Sequence, residues 1–148
     1  VLAVVSYGEA VKGAKRGTSV QLVLNQTPFY AESGGQVGDS GICIIGNTKT
    51  HIQNVTQASN IFIHHIRKLE FDINIGTSVK LEIDLNRRQL IQANHSATHL
   101  MHQALKDVIG FQVNQRGSLN NSERLRFDFS SNKAMSKYEI EKVEQALW

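Results

Sequence analysis

One cysteine, one proline and one tryptophan occur among 148 residues, and each scarcity excludes something. A lone Cys43 can form no disulfide within the chain and cannot supply the cysteine cluster of a structural zinc site. It lies in Gly41-Ile42-Cys43-Ile44-Ile45-Gly46, an apolar run between glycines, where a free cysteine serves as a small buried hydrophobe. A reducing, cytoplasmic setting is therefore expected, and strings such as Asn54-Val55-Thr56 then carry no glycosylation meaning. No apolar run approaches the roughly 18 residues of a membrane span, and no signal peptide is visible, so no membrane partner is expected. Nor is there a dense basic stripe. Sixteen Lys and Arg against thirteen Asp and Glu give a net charge of +3, which permits a nucleic-acid partner without announcing one.

What the chain has is enough apolar residue, 41%, to bury the core of one ordinary domain or two small ones. Its pattern changes near residue 86. Before that point, short β-branched and aliphatic runs at 2–6, 20–24, 42–45, 52–55, 61–66 and 79–83 alternate with turn residues, and nine of the eleven glycines fall here. Six short strands without a long helix read as a small antiparallel barrel or sandwich over 1–86.

From residue 87 to 148 the period becomes helical. Leu90, Ala93, Ala97, Met101, Ala104 and Val108 recur at steps of three and four, which predicts one apolar stripe ending before Gly110. His95, His99 and His102 project away from that stripe. Arg124-Leu125-Arg126-Phe127-Asp128-Phe129 alternates as a strand, and Ser136 with Glu139 forms a capping box that opens a second helix. That helix still runs at Trp148, and the chain begins at Val1 without a methionine. Both features lead us to expect a piece of a longer protein. The fold class is α+β.

His95 and His99 are the first candidates for chemistry. Four residues apart on one helix, they stack two imidazoles on one face, as two ligands of a single metal ion require. The string His95-Ser96-Ala97-Thr98-His99 has the spacing of a zinc-protease helix, but Ser96 stands where such an enzyme carries its glutamate base, which excludes that class. By spacing alone the pair is either a metal half-site or two exposed helical histidines. A second block, Thr27-Pro28-Phe29-Tyr30-Ala31-Glu32-Ser33-Gly34-Gly35-Gln36-Val37-Gly38-Asp39-Ser40-Gly41, reads by composition as a turn-rich loop whose glycines permit positive φ or close backbone approach.

Taken in order with the segment Gln115-Arg116-Gly117-Ser118 and the strand at 124–129, these motifs are very similar to the editing domain of alanyl-tRNA synthetase. The resemblance covers nearly the whole chain. The same module occurs in freestanding AlaX trans-editing proteins, and its second half is shared with threonyl-tRNA synthetase. It implies a β-barrel over 1–86 followed by the first part of a two-layer α/β domain over 87–148. It also implies hydrolysis of the ester that links serine or glycine to the 3′ end of the alanine tRNA, in a parent enzyme that attaches alanine to that tRNA with ATP. The rest of that synthetase is then a partner. His95 and His99 would be two of four zinc ligands, the others arriving in a Cys-x-x-x-His element that this sequence does not contain. A half-site of that kind is expected to hold zinc poorly and to leave the piece weakly active alone.

The resemblance further places Gln115 at the reacting ester, where its amide can both donate and accept. Gly34, Gly35, Gln36, Arg116, Gly117 and Ser118 would contact the acceptor end. Editing is needed because a pocket fitted to a methyl group gains only about 1–3 kcal/mol against neighbours differing by one small group. Sparing alanine while destroying serine calls for a polar partner for the serine hydroxyl, and Thr98, one residue before His99, is the candidate; its alternative role is helix packing. Two other readings stand beside this one. Gly34-Gly35-Gln36 matches the tripeptide release factors use at the peptidyl-tRNA ester. Lys12, Lys15, Arg16, Arg87, Arg88 and Arg116 could instead hold a phosphate backbone in a tRNA-binding module without chemistry.

Overall fold

A computed structural model describes residues 1–147 and shows an α+β protein. Its elements are β1 (Ala3–Ser6), β2 (Glu9–Val11), β3 (Gly13–Ala14), β4 (Val20–Val23), β5 (Gly41–Ile45), β6 (Thr48–Ile52), β7 (Asn54–Ala58), β8 (Ile61–Ile66), β9 (Ile73–Asn74) and β10 (Lys80–Ile83). Helix α1 (Leu85–Ile109), β11 (Gln115–Asn120), β12 (Leu125–Phe129) and helix α2 (Lys137–Leu147) follow. The chain divides into two compact units. The first comprises 1–33 and 37–88; the second comprises 34–36 and 89–148.

Among the described residues, the first unit holds no single closed barrel. A five-stranded sheet runs β2-β1-β4-β8-β7, a three-stranded sheet runs β10-β5-β6, and β3 pairs β9. Every pairing is antiparallel. The apolar run at 52–55, which reads as one strand, is a corner: Ile52 closes β6, Gln53 interrupts, and Asn54 opens β7 in the other sheet. Gln53 makes the corner with its own side chain, accepting from the Arg67 amide and donating to the His51 carbonyl. Ile52 and Val55 on either side are fully buried, so burial set the pattern and the turn between them was silent.

The core of this unit gathers Val4, Val20, Leu22, Phe29, Ala31, Cys43, Ile52, Val55, Ile66, Leu69 and Ile73. Cys43 is the buried hydrophobe expected, and burial raises its thiol to about 11, far from the thiolate that reactivity needs. Polar side chains are buried here too, His64 and Thr50 most completely. His64, fully buried, donates from Nδ1 to the Leu22 carbonyl at 3.1 Å and accepts at Nε2 from the Thr27 hydroxyl at 2.8 Å. The Thr27 oxygen in turn accepts from the Phe29 amide at 3.1 Å. The neutral imidazole is thus fully satisfied, and it pins the start of the glycine-rich block.

The end of that block is held by charge. Asp39, buried, accepts from the Tyr30 amide at 2.6 Å and from the Arg88 guanidinium through both its oxygens. Arg88 also reaches the Pro28 carbonyl at 2.9 Å, and Arg87 the Gly38 carbonyl at 2.8 Å. Both arginines lie in the first turn of α1, whose start is capped by Asp84 accepting from the Arg87 amide at 2.9 Å.

The second unit packs Ala104, Leu105, Val113 and Val143 with Met101, Val108, Ile109, Phe127, Phe129 and Met135. Helix α1 stops where Gly110 adopts a φ of +124°. The capping box at α2 is reciprocal: the Glu139 carboxylate accepts from the Ser136 amide and hydroxyl, both at 2.8 Å, and the Ser136 oxygen accepts from the Glu139 amide at 3.2 Å.

Two outcomes follow for the first unit. Burial holds the His64 imidazole below its ordinary value, chiefly by desolvation. The unfolded chain therefore takes up a proton before the folded one, and the stability His64 contributes is complete above about pH 6.5 and lost on acidification through the folded value. Thermal unfolding from pH 7 to pH 5 should show a smaller fall for His64→Gln than for the wild type; equal falls would refute this account. Asp39→Ala strands Arg88 and the Tyr30 amide and should cost about 3 kcal/mol in chemical denaturation, since Arg88 keeps some solvent.

Candidate functional site

The face that α1 covers is only in part the one its apolar residues predict: Met101, Ala104 and Val108 of the stripe pack in the core of the second unit, while its first members do not. Leu90 is 54% exposed and Ala93 is exposed, whereas Ile91, Ala104 and Leu105 are buried and Asn94, Thr98, Met101 and His102 are half-buried. The covered row therefore runs Ile91, Asn94, Thr98, Met101 with His102, and Leu105, which also obeys helical spacing. Three of its members are polar, and each is paired. Asn94 donates to the Asn121 carbonyl at 2.8 Å, Thr98 to the Asn94 carbonyl at 2.8 Å, and His102 from Nε2 to the Val113 carbonyl at 3.3 Å. Because a carbonyl only accepts, His102 when neutral keeps its proton on Nε2.

Opposite this helix within the second unit stands the β11–β12 hairpin. Gln115 pairs Phe129 and Gly117 pairs Asp128, so Arg116 is an extra residue, a β-bulge. In a regular strand Gln115 would face away from Ser118 and Asn120; one added residue reverses that. The bulge is why the three polar side chains share a wall.

The tripeptide Gly34-Gly35-Gln36 lies alongside β11, with Gln36 bridging Asn120 in parallel. The Asn120 amide donates to the Gly35 carbonyl at 2.8 Å, and the Ser118 hydroxyl to the Gly34 carbonyl at 3.2 Å. Gly35 has a φ of +84°, and a Cβ there would lie 2.4 Å from both the Ser118 carbonyl and hydroxyl oxygens. Only glycine fits.

These elements enclose a cavity of about 140 Å³ lined by Gly34, Gln36, His95, Thr98, His99, His102, Gln115, Ser118, Asn120 and Phe127. Seven residues predicted from the sequence meet here. Gly35 backs the wall, while Arg116 sits on the bulge and Gly117 packs toward Asp128. His102, Asn120 and Phe127 were missed. His102 stands seven residues after His95, a face-sharing interval that was available; Asn120 follows Ser118 by two, visible only once 115–120 is known to be a strand. A larger cavity of about 570 Å³ in the first unit is lined by 24–28, 77–81 and Val1. It holds no histidine, acid or cysteine, so size there does not mark chemistry.

His95 Nε2 and His99 Nε2 lie 3.1 Å apart. That separation is a hydrogen bond if one ring is protonated at Nε2. It also fits one metal ion, since two nitrogens about 2.0–2.1 Å from a tetrahedral zinc lie about 3.3 Å apart. Among the described residues no third His, Cys, Asp or Glu joins them, so the pair fits half of a zinc site. The basic residues give less. Lys15 pairs with Asp72, Arg16 with Glu70 and Arg88 with Asp39, and Arg87 is spent on Gly38. Four of the six candidate phosphate contacts are thus engaged with the chain's own groups. No helix among the described residues is long and apolar enough to cross a membrane.

A synthetase motif set, a glycine block held against a strand and a histidine-bearing helix invite comparison with known sequences. Residues 1–87 match the family described as tRNA synthetases, class II (A), and the chain belongs to that family. Along nearly its whole length it is similar to alanine–tRNA ligases: 48% identical to that of Ruegeria sp. (strain TM1040) over 97% of this chain, and 49% identical to that of Cereibacter sphaeroides (strain ATCC 17025 / ATH 2.4.3) over 97%. It is 45% identical to the alanine–tRNA ligase of Rhizobium meliloti (strain 1021) over 98%. The chain spans 16% of the length of each of these relatives.

The fit of the glycine tripeptide gives a graded expectation. Gly34→Ala meets open space at a φ of +58° and should cost about 1 kcal/mol of conformational strain. Gly35→Ala adds a clash with backbone and should cost about 3 kcal/mol. Chemical denaturation of both variants checks the order; equal losses would show that the Ser118 contact does not matter.

Proposed function

We propose that this chain is the editing portion of an alanyl-tRNA synthetase, hydrolysing the ester between serine or glycine and the 3′ end of the alanine tRNA, in a cytoplasmic parent that joins alanine to that tRNA with ATP. The observation that carries this reading is the cavity, where His95, Thr98, His99, Gln115, Ser118 and Gln36 converge from three separate stretches of sequence. On this reading, the second unit is the first part of the two-layer α/β domain shared with threonyl-tRNA synthetase. The sheets of the first unit are its barrel-like partner.

Hydrolysis adds a water oxygen to the acyl carbon, breaks the bond from that carbon to the ribose oxygen, and returns a proton to the ribose. Gln115 can donate to the acyl oxygen or hold the water, since its amide carries both functions. The Thr98 proton is committed to the Asn94 carbonyl, so this hydroxyl offers only lone pairs and accepts from a proton-bearing group of the substrate. Gly34 and Gln36 line the wall on which the terminal nucleotide would rest. His95 and His99 would hold zinc together with further ligands; when bound, zinc supplies a water of lowered pKa or a fixed seat for the substrate's amino group.

In the full-length protein, Ser-tRNA should be deacylated and Ala-tRNA spared. His99→Ala should lower the Ser-tRNA rate by about 100-fold or more, the scale of losing a preorganised electrostatic group, and zinc content measured on the same samples should fall with it. Gln36→Ala should cost far less. The reverse ranking would favour a termination-type hydrolase built on Gly34-Gly35-Gln36, and intact activity in both variants would put the chemistry elsewhere in the full-length protein and leave this chain as a tRNA-binding module.

A further inference from the structure

Asn120 is 4% exposed and lines the cavity. Its Nδ2 donates to the Ile91 carbonyl of α1 at 3.2 Å, which fixes the orientation of the amide, because a flipped side chain would set two oxygens against each other. Its Oδ1 is then left as an acceptor, and it is the one buried side-chain polar atom among the described residues with no partner. Buried acceptors are paired in folded proteins unless something else is meant to pair them.

We propose that Asn120 is a specificity-determining residue of this site, its Oδ1 accepting a hydrogen bond from the hydroxyl of a bound seryl group. The inference rests on the deacylase reading above and names the group that separates serine from alanine. Two donors are available on a seryl ester, the ammonium and the hydroxyl. Bringing an ammonium to a sealed site costs far more than bringing a neutral hydroxyl, and the cavity wall contains no Asp or Glu to compensate it. Thr98 is a weaker discriminator. Its proton is already bonded and it is only half-buried, so an unused lone pair there loses little. Asn120 Oδ1 has no partner to give up: a seryl hydroxyl pairs it, whereas an alanyl methyl leaves it unpaired, and a site built to bond a hydroxyl rejects the analogue that lacks one.

The test uses the full-length protein and compares Ser-tRNA with Gly-tRNA, because glycine lacks the hydroxymethyl group while sharing the ammonium and the ester. Asn120→Leu keeps the approximate shape and removes the acceptor together with the donor to the Ile91 carbonyl, a loss that bears on both esters alike. It should lower kcat/KM for Ser-tRNA by about 10- to 100-fold, the range of one lost specific contact, and leave Gly-tRNA within about threefold. Asn120→Ser, whose hydroxyl can donate to the Ile91 carbonyl while its oxygen still accepts, should restore part of the serine preference and serves if the leucine variant does not fold. A parallel fall for both esters would mean that Asn120 only holds the Gly35 loop and the helix, and would overturn the proposal. A wild-type protein that hydrolyses neither ester would instead overturn the deacylase reading itself.

Discussion

A buried carboxylate governs the places where the chain leaves its first unit. Asp39 lies two residues past Val37, where the glycine block re-enters that unit, and its partner Arg88 is the last residue before α1 departs from it. The block from 25 to 40 has no ladder of its own, so its backbone groups must be satisfied one at a time. Asp39 takes the Tyr30 amide, the Val55 carbonyl takes that of Glu32, and His64 holds Thr27. An irregular segment held this way is rigid without being regular, which is what a wall of backbone carbonyls requires. Serving three donors with one carboxylate also explains why the pair tolerates burial: its oxygens are bonded beyond the guanidinium alone.

Much of the fold was legible because burial and capping write themselves into sequence. The strands at β1, β4, β5, β8, β10 and β12, the stop at Gly110 and the capping box at Ser136 follow from alternation, glycine and Ser-x-x-Glu. What was not legible has local physical causes. The short strands β2, β3 and β9 have two or three residues each, too few to show a period. The corner at Gln53 joins two buried residues without Gly or Pro, because a glutamine side chain does the work of a turn. The six apolar runs left barrel and sandwich open and the family resemblance implied a barrel; among the described residues the strands instead pair in separate sheets, and nothing in the runs themselves distinguishes closure from that.

The site was legible in part for a different reason. Two histidines four apart declare themselves by geometry, whereas Gln115 came only through resemblance, its partners on β11 being hidden behind a bulge that no residue type marks. Helix α1 misled over its N-terminal part, where hydrophobicity failed as a proxy for burial, while Met101, Ala104 and Val108 are covered as the apolar stripe predicts. Leu90 and Leu100 are exposed while Asn94, Thr98 and His102 are covered. Polar side chains can occupy a covered face at small cost when each finds a carbonyl, and all three do.

That substitution of polarity for hydrophobicity fixes the protons of the site. Thr98 spends its hydrogen on Asn94, His102 holds its own on Nε2 toward Val113, and Ser118 gives its hydrogen to Gly34. Each of these groups therefore meets a ligand as an acceptor or through carbon, and the donors left on the wall include the amides of Gln36 and Gln115 and the imidazoles of His95 and His99. An array with assigned protons cannot rearrange to suit whichever molecule arrives, so a misfit leaves a specific group unpaired. A flexible, hydrated wall would recover that loss by turning a hydroxyl or admitting water. On the deacylase reading proposed above, discrimination by a single hydroxyl would demand the stiffer arrangement, and the cost of building it would be the polar face that conceals the helix's orientation from its sequence.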